Sequence, residues 1–85
     1  MTTSSHMSLN FSAALIALKD GRKVRRRGWN GRNMWCALQV PDEHSKMQRP
    51  YIYMSDAQGL LVPWIASQTD LLADDWELVD EEIVS

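Results

Sequence analysis

The sequence predicts an α+β fold, a small antiparallel sheet with an N-terminal helix and a short helical turn before the last strand. Three features carry that expectation: an apolar stripe at helical spacing near the start, a series of short β-prone segments separated by turn residues, and a serine-capped turn just ahead of a final alternating segment. At 85 residues the chain has room for one core only, and a core that small is marginal without further burial. The expected organisation is a disordered N-terminal tail over 1–8, a single domain over 9–79 and an acidic C-terminal tail over 80–85.

Phe11, Ala14, Leu15 and Leu18 make one apolar face of a helix over about residues 11–20. Asn10 or Ser12 can cap its start, and Gly21 suits the C′ position that ends it. Lys23-Val24-Arg25-Arg26 follows as a short strand with Val24 toward the core. The period of two puts Arg26 on that same side, so it must sit at the strand's end or find a partner. Gly28-Trp29-Asn30-Gly31 is a turn, because Asn-Gly readily takes up positive φ angles. Residues 35–40 form the next strand, with Cys36, Leu38 and Val40 on one side and Trp35, Ala37 and Gln39 on the other. Residues 41–50 are polar and irregular, an expected mobile loop. Residues 51–54 and 60–62 pair as a hairpin that Pro63 ends, having no N–H to donate. Ser67 caps a turn running to about Ala73, with Asp70 as its capping-box partner, and residues 76–79 alternate as the last strand.

Composition removes several functional classes. Cys36 is the only cysteine, so no intramolecular disulfide can form, and a lone thiol suits a reducing compartment. His6, His44 and Cys36 stand at no metal-ligand spacing, and neither metal nor cofactor is expected. No apolar run reaches the length of a membrane span. Met1 to Ser8 lacks the basic start and apolar stretch of a signal peptide, so a soluble, intracellular protein is expected. Ser4-Ser5-His6-Met7 resembles a cloning remnant, with a native tail the equal alternative. No nucleophile elbow, phosphate-cradling glycine loop or paired metal carboxylates stand in the sequence. His44 beside Asp42 and Glu43 reads as solvated loop, Cys36 as an inert core thiol, and Asp74-Asp75 as neighbours that point apart. A non-enzymatic binding protein is the expectation. Four tryptophans and five methionines in so short a chain need apolar partners, which points to a homo-oligomer.

The net charge of −2 hides an uneven distribution. Arg22, Lys23, Arg25, Arg26, Arg27 and Arg32 form a basic stretch without an acid, whereas residues 70–82 carry Asp70, Asp74, Asp75, Glu77, Asp80, Glu81 and Glu82 without a base. Either the two segments neutralise each other, or part of the basic stretch meets phosphate.

Two segments read as a binding site. One is Arg26-Arg27-Gly28-Trp29-Asn30-Gly31 running on to Met34-Trp35; the other is Val62 to Asp70, with Trp64 at its centre. Each sets a tryptophan beside small and hydrogen-bonding residues in non-regular chain, where binding groups concentrate. A tryptophan face can stack on a purine, and arginine presents a charged planar fork to phosphate. Free amides at Ser67, Gln68 and Thr69 would favour an anion. Asn30, Gln68 and Asp70 can read base edges or ribose hydroxyls. The alternative is that Trp29 and Trp64 are core or interface residues and Asp70 only a cap, as is expected of Trp35 and Trp76 in their strands.

Taken with Asn10-Phe11-Ser12-Ala13-Ala14-Leu15, Gly21-Arg22-Lys23-Val24-Arg25-Arg26 and Leu72-Ala73-Asp74-Asp75-Trp76, these segments make the chain, over about Leu9 to Val79, resemble a family of small phage and prophage proteins, the second type of Thoeris anti-defence proteins. Many members carry a longer insertion where this chain has only residues 41–50. The resemblance implies a homotetrameric sponge in the cytoplasm of an infected or lysogenic bacterium. Such a sponge sequesters cyclic ADP-ribose isomers made by TIR-domain enzymes, without cleaving them, in pockets at subunit interfaces. Some relatives also hold cyclic dinucleotides at a separate site. On this reading Trp29 and Trp64 pack on adenine or ribose, and Arg26 with the amides around Ser67 meets the pyrophosphate. Asn30, Gln68 and Asp70 hold hydroxyls or the adenine edge, with Ala66 lining the same segment. Met34, Arg27 and Tyr51 are candidates for the dinucleotide site. The rivals are a nucleic-acid-binding module, against which the negative net charge speaks, a factor that docks on a host protein through its tryptophans, and a cyclic-nucleotide hydrolase.

Overall fold

A computed structural model describes residues 8–29 and 33–79. Helix α1 (Phe11–Lys19) is followed by strands β1 (Val24–Arg26), β2 (Trp35–Gln39), β3 (Tyr51–Ser55) and β4 (Leu61–Pro63), a short helix α2 (Gln68–Leu72) and strand β5 (Trp76–Leu78). This is the predicted α+β order. The tails before Ser8 and after Val79, and the Asn30-Gly31 end of the predicted turn, lie outside the described residues.

The local signals act where the sequence places them. Asn10, not Ser12, caps α1: its side chain accepts the Ala13 amide at 2.9 Å. Gly21 at φ +88° terminates the helix from the left-handed region, where any Cβ is strained. Ala14 and Leu18 are fully buried, while Ile16 on the opposite side of α1 is exposed.

The five strands form one antiparallel sheet in the order β4-β3-β2-β1-β5. β1 to β4 run as a meander from the centre to one edge. The segment carrying α2 then brings the chain back so that β5 pairs with β1 at the other edge, Arg26 opposite Trp76 and Arg25 opposite Glu77. Leu9 extends that edge, exchanging two backbone hydrogen bonds with Trp76 at 2.8 and 3.0 Å. Alternation gives the sheet two unlike faces. Val24, Cys36, Met54, Val62 and Trp76 face α1, whereas Arg25, Trp35, Tyr53, Leu61, Pro63 and Glu77 lie on the face without a helix. The core is accordingly small, built on Ala14, Leu18, Val24, Cys36 and Trp76, with Phe11, Trp29 and Trp64 packed against its rim.

Two expectations need correction. β2 stops at Gln39, and Val40 is exposed rather than inward-facing, because no strand continues beneath it there. Pro63 does not stand beyond the β4 ladder: it pairs with Tyr53, and the next amide, from Trp64, donates to the Ile52 carbonyl at 3.1 Å. β4 is an edge strand, so a residue lacking N–H fits where that bond would point to solvent. Residues 42–45 are tied by Asp42, whose carboxylate accepts the His44 amide at 2.9 Å and the Ser45 hydroxyl at 3.1 Å.

Leu18→Ala should destabilise the protein by about 3 kcal/mol through lost burial and the cavity left behind. The adjacent exposed Lys19→Ala should stay within about 0.5 kcal/mol of wild type. Urea unfolding of both variants followed by circular dichroism checks the contrast.

Candidate functional site

The two sequence segments meet on the helix-bearing side of the sheet. β1 delivers Arg26 at its last position, the following turn delivers Trp29, the exit from β4 delivers Trp64, and the start of α2 delivers Ser67 and Asp70. Phe11 and Trp76 form the floor. The ring centroids of Trp29 and Trp76 lie 5.4 Å apart and those of Trp64 and Trp76 5.9 Å apart, both edge-to-face; Trp29 and Trp64 are 6.5 Å apart. Phe11 stands 5.3 Å from Trp76 and 5.9 Å from Trp64. Trp76 is fully buried, while Trp29 and Trp64 are half-buried at the rim. Trp76 therefore has the structural role expected of it. Trp35, on the other face, packs edge-on to Tyr53 at 5.9 Å with the Lys23 ammonium 4.2 Å above its ring.

Beside the aromatic rings sits a polar hub. Arg26 donates from Nε to Asp75 Oδ1 at 2.7 Å, from Nη2 to Asp75 Oδ2 at 3.4 Å, and from Nη1 to Asp70 Oδ1 at 3.0 Å. The side chains of Arg26, Asp70 and Asp75 are 16, 13 and 29% exposed. Asp70 also accepts the Trp29 indole N–H at 3.3 Å, and its backbone carbonyl accepts the Trp76 indole N–H at 2.9 Å. Among the described residues the Trp64 indole N–H has no such partner. At the same time Asp70 closes a capping box with Ser67, each side chain accepting the other's amide, at 3.0 and 3.2 Å. The Ser67 amide is thus not free, contrary to expectation; at this helix start only the amides of Gln68 and Thr69 stay uncommitted.

The charge question resolves mainly toward neutralisation. On the helix side, Arg26 faces two carboxylates. On the open face, Arg25 pairs with Glu77 at 2.8 Å and Arg27 approaches the same carboxylate at 3.7 Å while bonding to Ser8. The basic and acidic segments meet because β1 and β5 are neighbours.

Hydrogen-bond donation sets the ionisation of the hub. Arg26 is held above its ordinary value, chiefly by its bond to Asp75 against the opposing cost of burial. Burial alone would push the Asp70 carboxyl up, but donors from Arg26, Ser67 and Trp29 together bring it below the usual carboxylate value. Arg26 does the same for Asp75 despite some burial, with help from the Gly28 amide. Cys36 is buried as predicted; desolvation, with the Asp70 charge adding, pushes its thiol up to about 12.

Not every predicted residue joins this cluster. Tyr51 lies on the opposite face, lining a cleft of about 280 Å³ with Gln39, Pro41, Ser45, Lys46 and Met47. Arg27 is directed to Glu77 on that face as well. Met34 is half-buried just before β2, Ala66 is half-buried ahead of the cap, and Gln68 is exposed. Asn30 lies outside the described residues. The cleft and the aromatic cluster are thus different places, and the cluster, where indole faces, donors and charge converge, is the better site candidate. Asp75, expected only as one of two neighbours that point apart, is the hub residue the sequence does not single out; the acidic run set against a basic strand is its one signal. The cleft beneath residues 41–50 is likewise not singled out by the sequence. Among the described residues, no group of three or more His, Cys, Asp or Glu side chains is placed to hold a metal ion. No helix among them is long and apolar enough to cross a membrane.

Because both hub carboxylates are depressed in the folded state, their stabilising contribution is complete above the unfolded value of ~3.9. It is lost as pH falls through the folded values. Asp75→Asn should lower the Tm at pH 7, and the gap to wild type should narrow as pH falls below the ordinary carboxylate value and through the depressed folded one. Thermal melts across that range check the sign.

Comparison with known proteins agrees with the geometry in extent. The sequence profile of the Tad2-like family, the Thoeris anti-defense 2-like domain, matches residues 9–79, which include the helix, the whole sheet and both halves of the cluster. Thoeris anti-defense 2 of Bacillus phage SP01 is 34% identical over 84 residues, an alignment covering 84% of this chain and 94% of the relative. On that match the chain belongs to the Thoeris anti-defense 2-like family.

Proposed function

We propose that this protein is a phage anti-defence sponge that binds and sequesters a nucleotide immune signal, a cyclic ADP-ribose isomer made by a TIR-domain enzyme, without cleaving it. Family membership sets the class. The observation that carries the reading further is the pair of half-buried tryptophans, Trp29 and Trp64, standing beside a hub of directional hydrogen-bonding groups. The rims of these two indoles take the adenine or ribose. The Trp64 N–H, without a partner among the described residues, meets a ligand oxygen, and Gln68, Asn30 and the segment through Ala66 hold hydroxyls or the base edge.

Charge constrains how the pyrophosphate is held. Arg26 has committed three of its five N–H donors to Asp75 and Asp70. Two remain, but the hub carries one more carboxylate than guanidinium. Neutralising a pyrophosphate there needs further cations and the amides of Gln68 and Thr69, and a second protomer is the natural source of the cations. A shared pocket also answers the shape problem, since one small domain presents a rim, whereas a ligand of this size needs enclosure. Ile65 and Leu72, close to the rim in sequence, are 88 and 78% exposed, and the open sheet face carries Trp35, Tyr53, Leu61 and Pro63. These unburied apolar groups support a homo-oligomer, a tetramer on the family resemblance, working in the cytoplasm of the infected or lysogenic host. Cyclic dinucleotides would use a separate site; Tyr51 stands at the opposite end of the sheet from Arg27 and Met34, so a pocket using all three would draw them from different protomers.

Sequestration requires nanomolar affinity, about −12 kcal/mol. Calorimetric titration with a TIR-made cyclic ADP-ribose isomer, then heat release and mass analysis, should return tightly bound, chemically intact ligand; a cleaved product would instead mean a hydrolase. Trp64→Ala should abolish capture while native mass spectrometry shows the oligomer unchanged. Trp64→Phe should keep part of the affinity by retaining an aromatic face without the N–H. Normal binding by the alanine variant would remove the stacking role.

A further inference from the structure

Asp75 touches the segment that carries Trp29 at three successive residues. Its carboxylate grips the Arg26 guanidinium through both oxygens, at 2.7 and 3.4 Å. Its backbone carbonyl accepts the Arg27 amide at 2.9 Å, continuing the β1–β5 ladder one residue past the strand. Its Oδ2 then accepts the Gly28 amide, also at 2.9 Å. The next amide, from Trp29, folds back to the Arg26 carbonyl at 3.1 Å. The turn is therefore fastened to the entry of β5 at every residue from Arg26 to Gly28, and the Trp29 ring is fastened separately by Asp70.

Gly28 shows how close this approach is. A Cβ at that position would lie 2.9 Å from Asp75 Oδ2, nearer than side chains are found to sit. The glycine has no positive φ, so what residue 28 must provide is room for the carboxylate rather than an unusual backbone angle. With both its oxygens engaged by Arg26 and Gly28, Asp75 faces inward on the turn rather than toward a ligand.

We propose that Asp75 is a positioning residue for signal capture: by holding Arg26 and the Gly28 amide together it fixes the turn that presents the Trp29 face. The proposal rests on the sponge reading for its ligand, but its structural half can be measured without one. Nothing in the hub asks Asp75 to contact the signal; its effect passes through Trp29.

The test uses the whole 85-residue chain with Asp75→Asn and, separately, Gly28→Ala, which leaves every charge in place and only displaces the carboxylate. Hydrogen exchange at the Gly28 amide and the Trp29 indole N–H, followed by NMR in ligand-free protein, should quicken by about tenfold or more in both variants. Amides of β2 and β3 should keep their wild-type rates. Affinity for a cyclic ADP-ribose isomer should fall by roughly 10–100-fold, the scale of one lost hydrogen bond to a charged group. Wild-type affinity in Asp75→Asn overturns the proposal. If that variant does not fold, Gly28→Ala decides, and unchanged affinity there overturns it equally. Should the wild-type protein bind no cyclic ADP-ribose isomer, the sponge reading falls by itself; the clamp then stands or falls on whether exchange at Gly28 and Trp29 responds.

Discussion

One guanidinium held between two carboxylates ties this small fold together. Arg26 ends β1, Asp70 lies in the first turn of α2, and Asp75 leads into β5, so three elements distant in sequence converge on one side chain. A largely desolvated ion pair of this kind adds little net stability over an apolar replacement, yet removing one partner alone costs several kcal/mol because a charge is left stranded. Its effect is on specificity. Of the ways in which β5 could dock on the edge strand, only the register placing Trp76 opposite Arg26 brings Asp75 to the guanidinium and lets the Trp76 indole reach the Asp70 carbonyl.

That same hub fixes what remains available for binding. Asp70 caps a helix, pairs with Arg26 and accepts from Trp29, which leaves its carboxylate little capacity for a ligand. Ser67 is consumed by the capping box, and Arg25 and Arg27 share Glu77 on the far face. The polar residues nearest the rim thus hold one another in place and, through Asp70, the indoles of Trp29 and Trp76, on which Trp64 packs edge-on. Rigid aromatic faces on a pre-organised frame bind with little ordering cost. A single protomer offers a rim rather than an enclosure, and apolar residues on α2 and the β4 exit, Leu72 and Ile65, stay exposed in it.

Much of the fold was legible because its signals are local. The Phe11–Leu18 stripe runs over two helical turns, Gly21 ends the helix and the Ser67–Asp70 box closes within four residues, each where expected, while of the two candidate caps Asn10 is the one used. The strands were legible from alternation, apart from end effects at Val40 and Pro63. The site was half legible. Arg26, Trp29, Trp64, Ser67 and Asp70 do meet, but the division of labour among them was invisible, since it depends on which donor reaches which acceptor. Asp75 was missed because its partners, Arg26 and Gly28, are 49 and 47 residues away along the chain, and Tyr51 proved to be on the other face.

The sequence by itself determined the element order, the Ser67–Asp70 capping box, the helix-ending glycine, the family and the presence of one basic and one acidic segment, because periodicity, capping chemistry and charge composition need no knowledge of distant contacts. The tertiary structure alone decided the strand order, with β5 returned to the edge beside β1. From that one placement follow the neutralisation of Arg25 and Arg26, the buried floor under Trp29 and Trp64, and the close approach of Asp75 to Gly28. Pairing between β1 and β5 depends on contacts between residues about fifty positions apart, and no local pattern encodes that.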